Sequence, residues 1–237
     1  MTTANTVKTR DRWALVVALV LPTLITLLYF VWMAKAAAFI YGPLKLLQFA
    51  FPAIWVWLIR KGQRGEWPTS QYRPSIALGI VFGLVVFTAG LGLYFSVLIP
   101  AGFFEGTLEE IRTKVKDMGL NSRALYLACA IFYCLVHSLL EEYYWRWFVF
   151  RECRGHMAFG VAVIVSSLGF MAHHVFVLAE FFHWTSPYTY VLSLAVAVGG
   201  VAWAWLYERY GTLLGPWLSH LIVDALIFAI GYDLLFT

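Results

Sequence analysis

Apolar residues run along this chain in long, nearly unbroken stretches, each close to the ~20 residues an α-helix needs to cross a bilayer. Seven stretches qualify: Trp13–Met33, Ile40–Ile59, Ile76–Ile99, Ala124–Phe150, Phe159–Phe182, Tyr188–Tyr207 and Leu213–Phe236. The second is the weakest, with Lys45 near its start and Pro52 in its middle. A lysine can snorkel to the interface, and a proline kink is tolerated in lipid. The short alternating segments of a membrane β-barrel are missing. The pattern therefore predicts an all-α, polytopic transmembrane helical bundle of about seven spans. One polar interval, Gly102–Arg123, reads differently. Thr107 and Glu110 form a capping-box pattern, and Leu108, Ile111, Val115 and Met118 share one helical face. Two readings fit it: an amphipathic helix on the outer membrane surface, or a solvated loop helix.

Composition sharpens the class. Of 237 residues, 62% are hydrophobic and only 13% charged, more apolar surface than a soluble domain of this size can hide. Among the 11 tryptophans, Trp13, Trp32 and Trp184 lie near span ends, as interfacial anchors do. The net charge of +4 resides in particular loops: Lys8, Arg10 and Arg12, then Arg60, Lys61, Arg64 and Arg73, then Arg151 and Arg154. By the positive-inside rule the N-terminus is cytoplasmic and the C-terminus faces outward. Loop topology thus accounts for the basic charge without nucleic acid. Ala34-Lys35-Ala36 has the form of a signal cleavage site, but the 21-residue apolar run before it exceeds a signal core, so an uncleaved span is expected. Cys129, Cys134 and Cys153 lack Cys-x-x-Cys spacing, and neither a disulfide nor a thiolate metal site is expected. Gly199-Gly200 in the sixth span is expected to permit close helix contact. The expected location is a multi-pass plasma-membrane protein.

Ionisable residues then single out three spans. Glu141 and Glu142 stand side by side in the fourth, His173-His174 in the fifth, and His220 with Asp224 in the seventh. A charge near the middle of a spanning helix costs ~2.5–3.5 kcal/mol, so such groups face a bundle interior and carry function. At α-helical spacing Glu142 and Arg146 share a face and can pair, as can His220 and Asp224. His137 lies one turn before Glu141. At 1.5 Å per residue, Glu141, His174, His220 and Asp224 fall at similar depths, roughly 10–20 Å from the cytoplasmic side. One shared intramembrane site is expected.

Glu141-Glu142-x-x-x-Arg146, Phe170-x-x-x-His174 and His220-x-x-x-Asp224, in that order and each on its own span, resemble the signature of the CAAX-protease and bacteriocin-processing (CPBP, or Abi) family of intramembrane proteases. The resemblance covers roughly Leu125 to Phe228. It implies that Glu141 is the general base activating a water, and that His174 helps to hold that water. It also implies that His220 and Asp224 stabilise the oxyanion, with Glu142 and Arg146 bracing the site. Asp224 stands where the family commonly has asparagine. An ionised Asp cannot donate to an oxyanion, so it would be protonated, orient His220 or bind a metal. The histidine doublet leaves His173 as an alternative to His174, which the spacing from Phe170 favours.

If a metal is present, Glu141, His174, His220 and Asp224 form a zinc-type N/O donor set, although the glutamate-and-water arrangement also works without one. His-Glu-x-x-His is absent. The division expected along the chain is residues 1–123, three spans plus the outer-surface helix, and residues 124–237, a four-span catalytic core. The function implied is an endopeptidase acting near the membrane on a membrane-associated peptide or protein, lipidated or not. The alternative is a non-catalytic membrane scaffold or partner-binding protein with the same fold. A proton-coupled transporter is a third reading, which the lack of an inverted repeat disfavours.

Overall fold

The computed structural model describes residues 2–29, 38–62 and 67–237, and among these all regular structure is helical. The helices in chain order are α1 (Thr2–Leu27), α2 (Ala38–Ala53, continued by the wider turns Ile54–Ile59), α3 (Tyr72–Leu98), α4 (Leu108–Asp117), α5 (Arg123–His156), α6 (Phe159–Phe182), α7 (Pro187–Tyr210) and α8 (Leu214–Phe236). Six of them, α2, α3 and α5 to α8, are long and apolar enough to cross a membrane. They coincide with six of the seven expected spans. The remaining one, Trp13–Met33, is helical through α1 but runs into residues 30–37, outside the described residues. Trp32, Ala34-Lys35-Ala36 and Arg64 also lie there. Trp13 and Trp184 are exposed, as anchors must be.

Two local expectations meet the structure directly. α4 forms where its apolar spacing placed it, but the capping box does not: Thr107 precedes the helix without a side-chain bond to it. The three cysteines are all free thiols.

The helices cluster into two compact units that cut across chain order. Residues Met1–Trp67 and Tyr143–Trp205 form the first unit, and residues Pro68–Glu142 and Leu206–Thr237 the second. Each combines segments from before and after residue 123.

In the first unit α1 packs against α6, α2 and the wide turns Tyr143–Phe150 of α5. Pro22 lies inside α1 and has no N–H, so the Ala18 carbonyl loses its helical donor. Tyr144 replaces it, its hydroxyl donating to Ala18 O at 2.7 Å. At one end, Arg60 joins three helices. Its guanidinium reaches Asp11 (Nη2–Oδ2 2.9 Å) and Glu152 (Nη2–Oε2 2.8 Å, Nη1–Oε1 3.1 Å), both carboxylates buried. Burial works against the guanidinium charge, but these bonds outweigh it and hold Arg60 above its ordinary pKa.

In the second unit α8 lies parallel to α3 along a seam of small residues. A Cβ on Gly79 would stand 2.2 Å from Gly215 O, one on Gly83 3.2 Å from Ser219 Cα, and one on Gly90 2.3 Å from Leu226 Cδ2. Without a hydrophobic drive between helices in lipid, such close backbone approach supplies the packing energy. The first part of α5 runs antiparallel on α8. Trp217 Nε1 donates to Leu135 O at 3.1 Å, and Tyr126 Oη to Phe228 O at 3.0 Å. Gly211, at φ 65°, makes the turn into α8, where a side chain would strike Pro68 O.

Candidate active site

The acidic pair lies in a short α-helical turn of α5, Ser138–Glu142, between the wider turns Tyr133–His137 and Tyr143–Phe150. Wider turns bond i→i+5, as where Ser138 N–H donates to Tyr133 O. Single insertions of this kind occur often at functional sites. Both carboxyl groups are buried, Glu141 at 3% and Glu142 at 0% exposure.

α8 sets His220 against them. His220 Nδ1 lies 2.8 Å from Glu142 Oε1. A carboxylate only accepts, so Nδ1 carries the proton. On the other side of the ring, His220 Nε2 is 3.7 Å from Glu141 Oε2 and 3.6 Å from Asp224 Oδ1. Separations of this length leave room for a bridging group rather than making direct hydrogen bonds. Glu141 Oε2 also lies 3.9 Å from His137 Nδ1, whose ring rests on Tyr133 at 4.6 Å. The second unit therefore brings together Glu141, Glu142, His220 and Asp224. Glu142 emerges as the residue that fixes the His220 ring through Nδ1, while Asp224 shares the Nε2 side with Glu141.

The first unit assembles the other motif residues. His174 Nδ1 is 2.9 Å from Phe170 O, one turn back on α6. A carbonyl only accepts, so the neutral ring carries its proton on Nδ1 and its lone pair on Nε2. The Phe170 ring meets the His174 ring edge-on at 4.7 Å. His173 is buried, with its ring parallel to Trp145 at 5.9 Å. Arg146, 2% exposed, lies against two aromatic rings that themselves meet edge to face at 6.0 Å, 4.7 Å from Phe170 and 4.9 Å from Trp203. Gly200 in α7 gives close contact with α6, as expected: a Cβ there would meet Ser167 Cβ at 3.2 Å and Arg146 Nη2 at 3.4 Å. Gly199 instead makes room for the Trp203 indole on its own helix.

Two features were beyond the motifs. His137 had a sequence signal, its position one turn before Glu141. Trp203 had none, since one more tryptophan in an apolar helix marks nothing.

For a metal, the donors of the second unit are the relevant test. Glu141 Oε2, His220 Nε2 and Asp224 Oδ1 are N/O atoms of the kind zinc takes. Their 3.6–3.7 Å distances from Nε2 are near the ~3.4 Å between ligand atoms of a tetrahedral site with bonds of ~2.1 Å. Glu142 on Nδ1 is the outer partner such a histidine needs. The donor types and the two distances from His220 Nε2 suit the group.

Residues 123–226 match the model of a protein family described as type II CAAX prenyl endopeptidase Rce1-like. The match begins with α5 and takes in Glu141, Glu142, Arg146, Phe170, His174, His220 and Asp224. No curated protein and no solved structure matches the chain.

Proposed function

We propose that this chain, whose residues 123–226 match the type II CAAX prenyl endopeptidase family, hydrolyses a peptide bond in a membrane-associated, prenylated protein with water activated by Glu141. The match supports a CAAX-type membrane endopeptidase at the level of the family. The residue roles are supported chiefly by one observation: a buried imidazole, His220, anchored by Glu142 at Nδ1 and turned through Nε2 toward Glu141 and Asp224.

In the proposed reaction Glu141 takes a proton from water as the water oxygen attacks the scissile carbonyl carbon. The carbonyl π pair moves onto oxygen, and His220, as an imidazolium with Nδ1–H on Glu142, donates its Nε2–H to that oxyanion. Collapse of the tetrahedral intermediate restores C=O, breaks C–N, and returns the proton from Glu141 to the departing amine. The products are a carboxylic acid and an amine, and Glu141 is regenerated. Glu142 holds the ring as a buried carboxylate holds the histidine of a catalytic triad. Asp224, which only accepts when ionised, directs the Nε2–H together with Glu141 instead of donating itself. His174 enters the proposal on its motif alone, and Arg146 as the brace of Phe170. If zinc is bound, Glu141, His220 and Asp224 would hold it, and it would supply Lewis acidity toward the carbonyl.

The test is cleavage of membrane-tethered and prenylated peptides by the purified, detergent-solubilised protein. Wild type is compared with Glu141→Ala, His174→Ala and His220→Ala, each with and without chelator. Cleavage lost in all three folded variants is expected. Loss of wild-type cleavage on chelation, restored by zinc, assigns the metal. Cleavage surviving Glu141→Ala and His220→Ala overturns the site. A folded protein that cleaves nothing but retains a stable partner would be the scaffold.

A further inference from the structure

Arg146 sits in a setting that its motif does not explain. A buried guanidinium inside a spanning segment is costly unless something replaces its hydration. Here two aromatic faces contribute: Phe170 of α6 at 4.7 Å and Trp203 of α7 at 4.9 Å. All three side chains are at most 3% exposed. The two rings meet edge to face at 6.0 Å, so the guanidinium rests in the corner they form, and cation–π contact is strongest when desolvated, with tryptophan the best of the rings.

The glycine doublet of α7 borders this arrangement, and Gly199 makes room for its indole. A Cβ at Gly199 would lie 3.2 Å from the Trp203 indole, and one at Gly200 3.4 Å from Arg146 Nη2. The first distance is tighter than ordinary contact, so a side chain at Gly199 would push on the indole; at Gly200 the tight neighbour is Ser167, with Cβ at 3.2 Å, and Arg146 is at ordinary contact. Phe170 carries the arrangement onward. Its ring touches Arg146 and meets His174 edge-on at 4.7 Å, and its carbonyl holds His174 Nδ1 at 2.9 Å.

We propose that Trp203 is a positioning residue of the hydrolysis: it packs edge to face on Phe170 and shares Arg146 with it, and through Phe170 fixes the ring of His174. This rests on the reading that His174 takes part in catalysis. It adds to the motifs a residue from α7, a helix that carries none of them.

The experiment compares Trp203→Phe, which keeps an aromatic face, with Trp203→Leu, which keeps apolar bulk without one. Both are made in the full chain in detergent, and kcat and KM are measured on a prenylated peptide. Misplacement of a site residue is expected to lower kcat of Trp203→Leu roughly 10- to 100-fold with KM within about twofold, while Trp203→Phe stays within about threefold of wild type. Equal losses in the two variants, or an unchanged kcat in Trp203→Leu, would overturn the proposal. If Trp203→Leu does not fold, Gly199→Ala takes its place, with the same direction of kcat change expected and an unchanged kcat overturning. A second readout is independent of turnover. The ¹⁵N resonances of His174, identified by their loss in His174→Gln, are expected to report a single Nδ1-protonated tautomer in wild type and a mixture in Trp203→Leu. Should wild type cleave nothing, the catalytic reading fails, and this spectrum alone decides whether Trp203 fixes the His174 ring.

Discussion

Replacing Glu142 by glutamine tests the anchoring of His220 with almost no change of shape. Glu142 Oε1 and His220 Nδ1 are 2.8 Å apart, with Glu142 at 0% and His220 at 4% exposure. At an effective dielectric of ~20, full charges at that distance attract by roughly 6 kcal/mol before desolvation is counted. The net value is smaller, and a hydrogen bond to a charged group contributes about 1.5–3 kcal/mol. The glutamine variant should therefore unfold about 3–12 °C below wild type, at ~2–4 °C per kcal/mol for a chain of this size. Catalysis should suffer more. The amide carries no charge, so the ring protonated on both nitrogens loses its counter-charge, and a neutral ring held at Nδ1–H by the amide oxygen presents a lone pair instead of an Nε2–H to the oxyanion. The analogous change in a serine-protease triad costs ~10⁴ in kcat, so a loss of roughly 10²–10⁴ is expected with KM within about threefold. Glu142→Asp, which keeps the charge on a shorter arm, should recover part of the loss. Initial rates on a prenylated fluorogenic peptide, paired with thermal unfolding followed by tryptophan fluorescence, give both numbers. A folded Glu142→Gln protein with kcat within about threefold of wild type refutes the anchoring role.

Two further outcomes concern the frame. Gly79→Ala places a methyl 2.2 Å from Gly215 O and should force α3 from α8, at a cost of about 1–3 kcal/mol, or roughly 2–12 °C of melting temperature. Gly92→Ala, on the same helix with nothing within 4 Å, is the control, and equal melting of the two variants would sink the seam. Arg60→Met leaves Asp11 and Glu152 buried without their cation and should lower the melting temperature by about 5 °C or more. The triple variant that also carries Asp11→Asn and Glu152→Gln should recover part of that loss, and wild-type melting of Arg60→Met would show the cluster to be idle.

The spans were legible because lipid permits few ways to satisfy a backbone, and a long apolar run has one. The polar residues were legible for the converse reason, since nothing cheap explains two glutamates in such a run. What the sequence left hidden lies in three places. The wider turns of α5 take one more residue per turn than an α-helix, so a wheel drawn at ~100° per residue drifts out of phase beyond His137. The seam Ser75, Gly79, Gly83 of α3 has the small-x-x-x-small form, but its partner on α8 cannot be read from spacing on one helix. Arg60 looked like one more loop charge of the positive-inside pattern, because its partners Asp11 and Glu152 are 49 and 92 residues away. The capping box at Thr107 failed for a related reason. A motif states which bonds are available, and the chain entering α4 left the hydroxyl without one.

The site's geometry depends on α8 neither sliding nor rotating, and α8 is held against both motions. Its small face, Gly215, Ser219 and the neighbouring Ile222, lies on α3. Rotation would bring larger side chains against a backbone that already stands at contact distance. Sliding is opposed on the α5 side by two bonds that bracket the polar pair. Trp217 binds Leu135 O three residues before His220, and Phe228 O receives Tyr126 four residues after Asp224. The anchors on α5 and α8 are backbone carbonyls, which keep their place in the helix and accept a second bond. A slip of one turn, ~5.4 Å, would break both anchors and carry His220 Nδ1 away from Glu142. A catalytic carboxylate that must stay buried, yet close to an imidazole from a distant part of the chain, requires this kind of two-sided restraint. That explains why, on α8, the glycine seam and the two aromatic bonds flank His220 and Asp224.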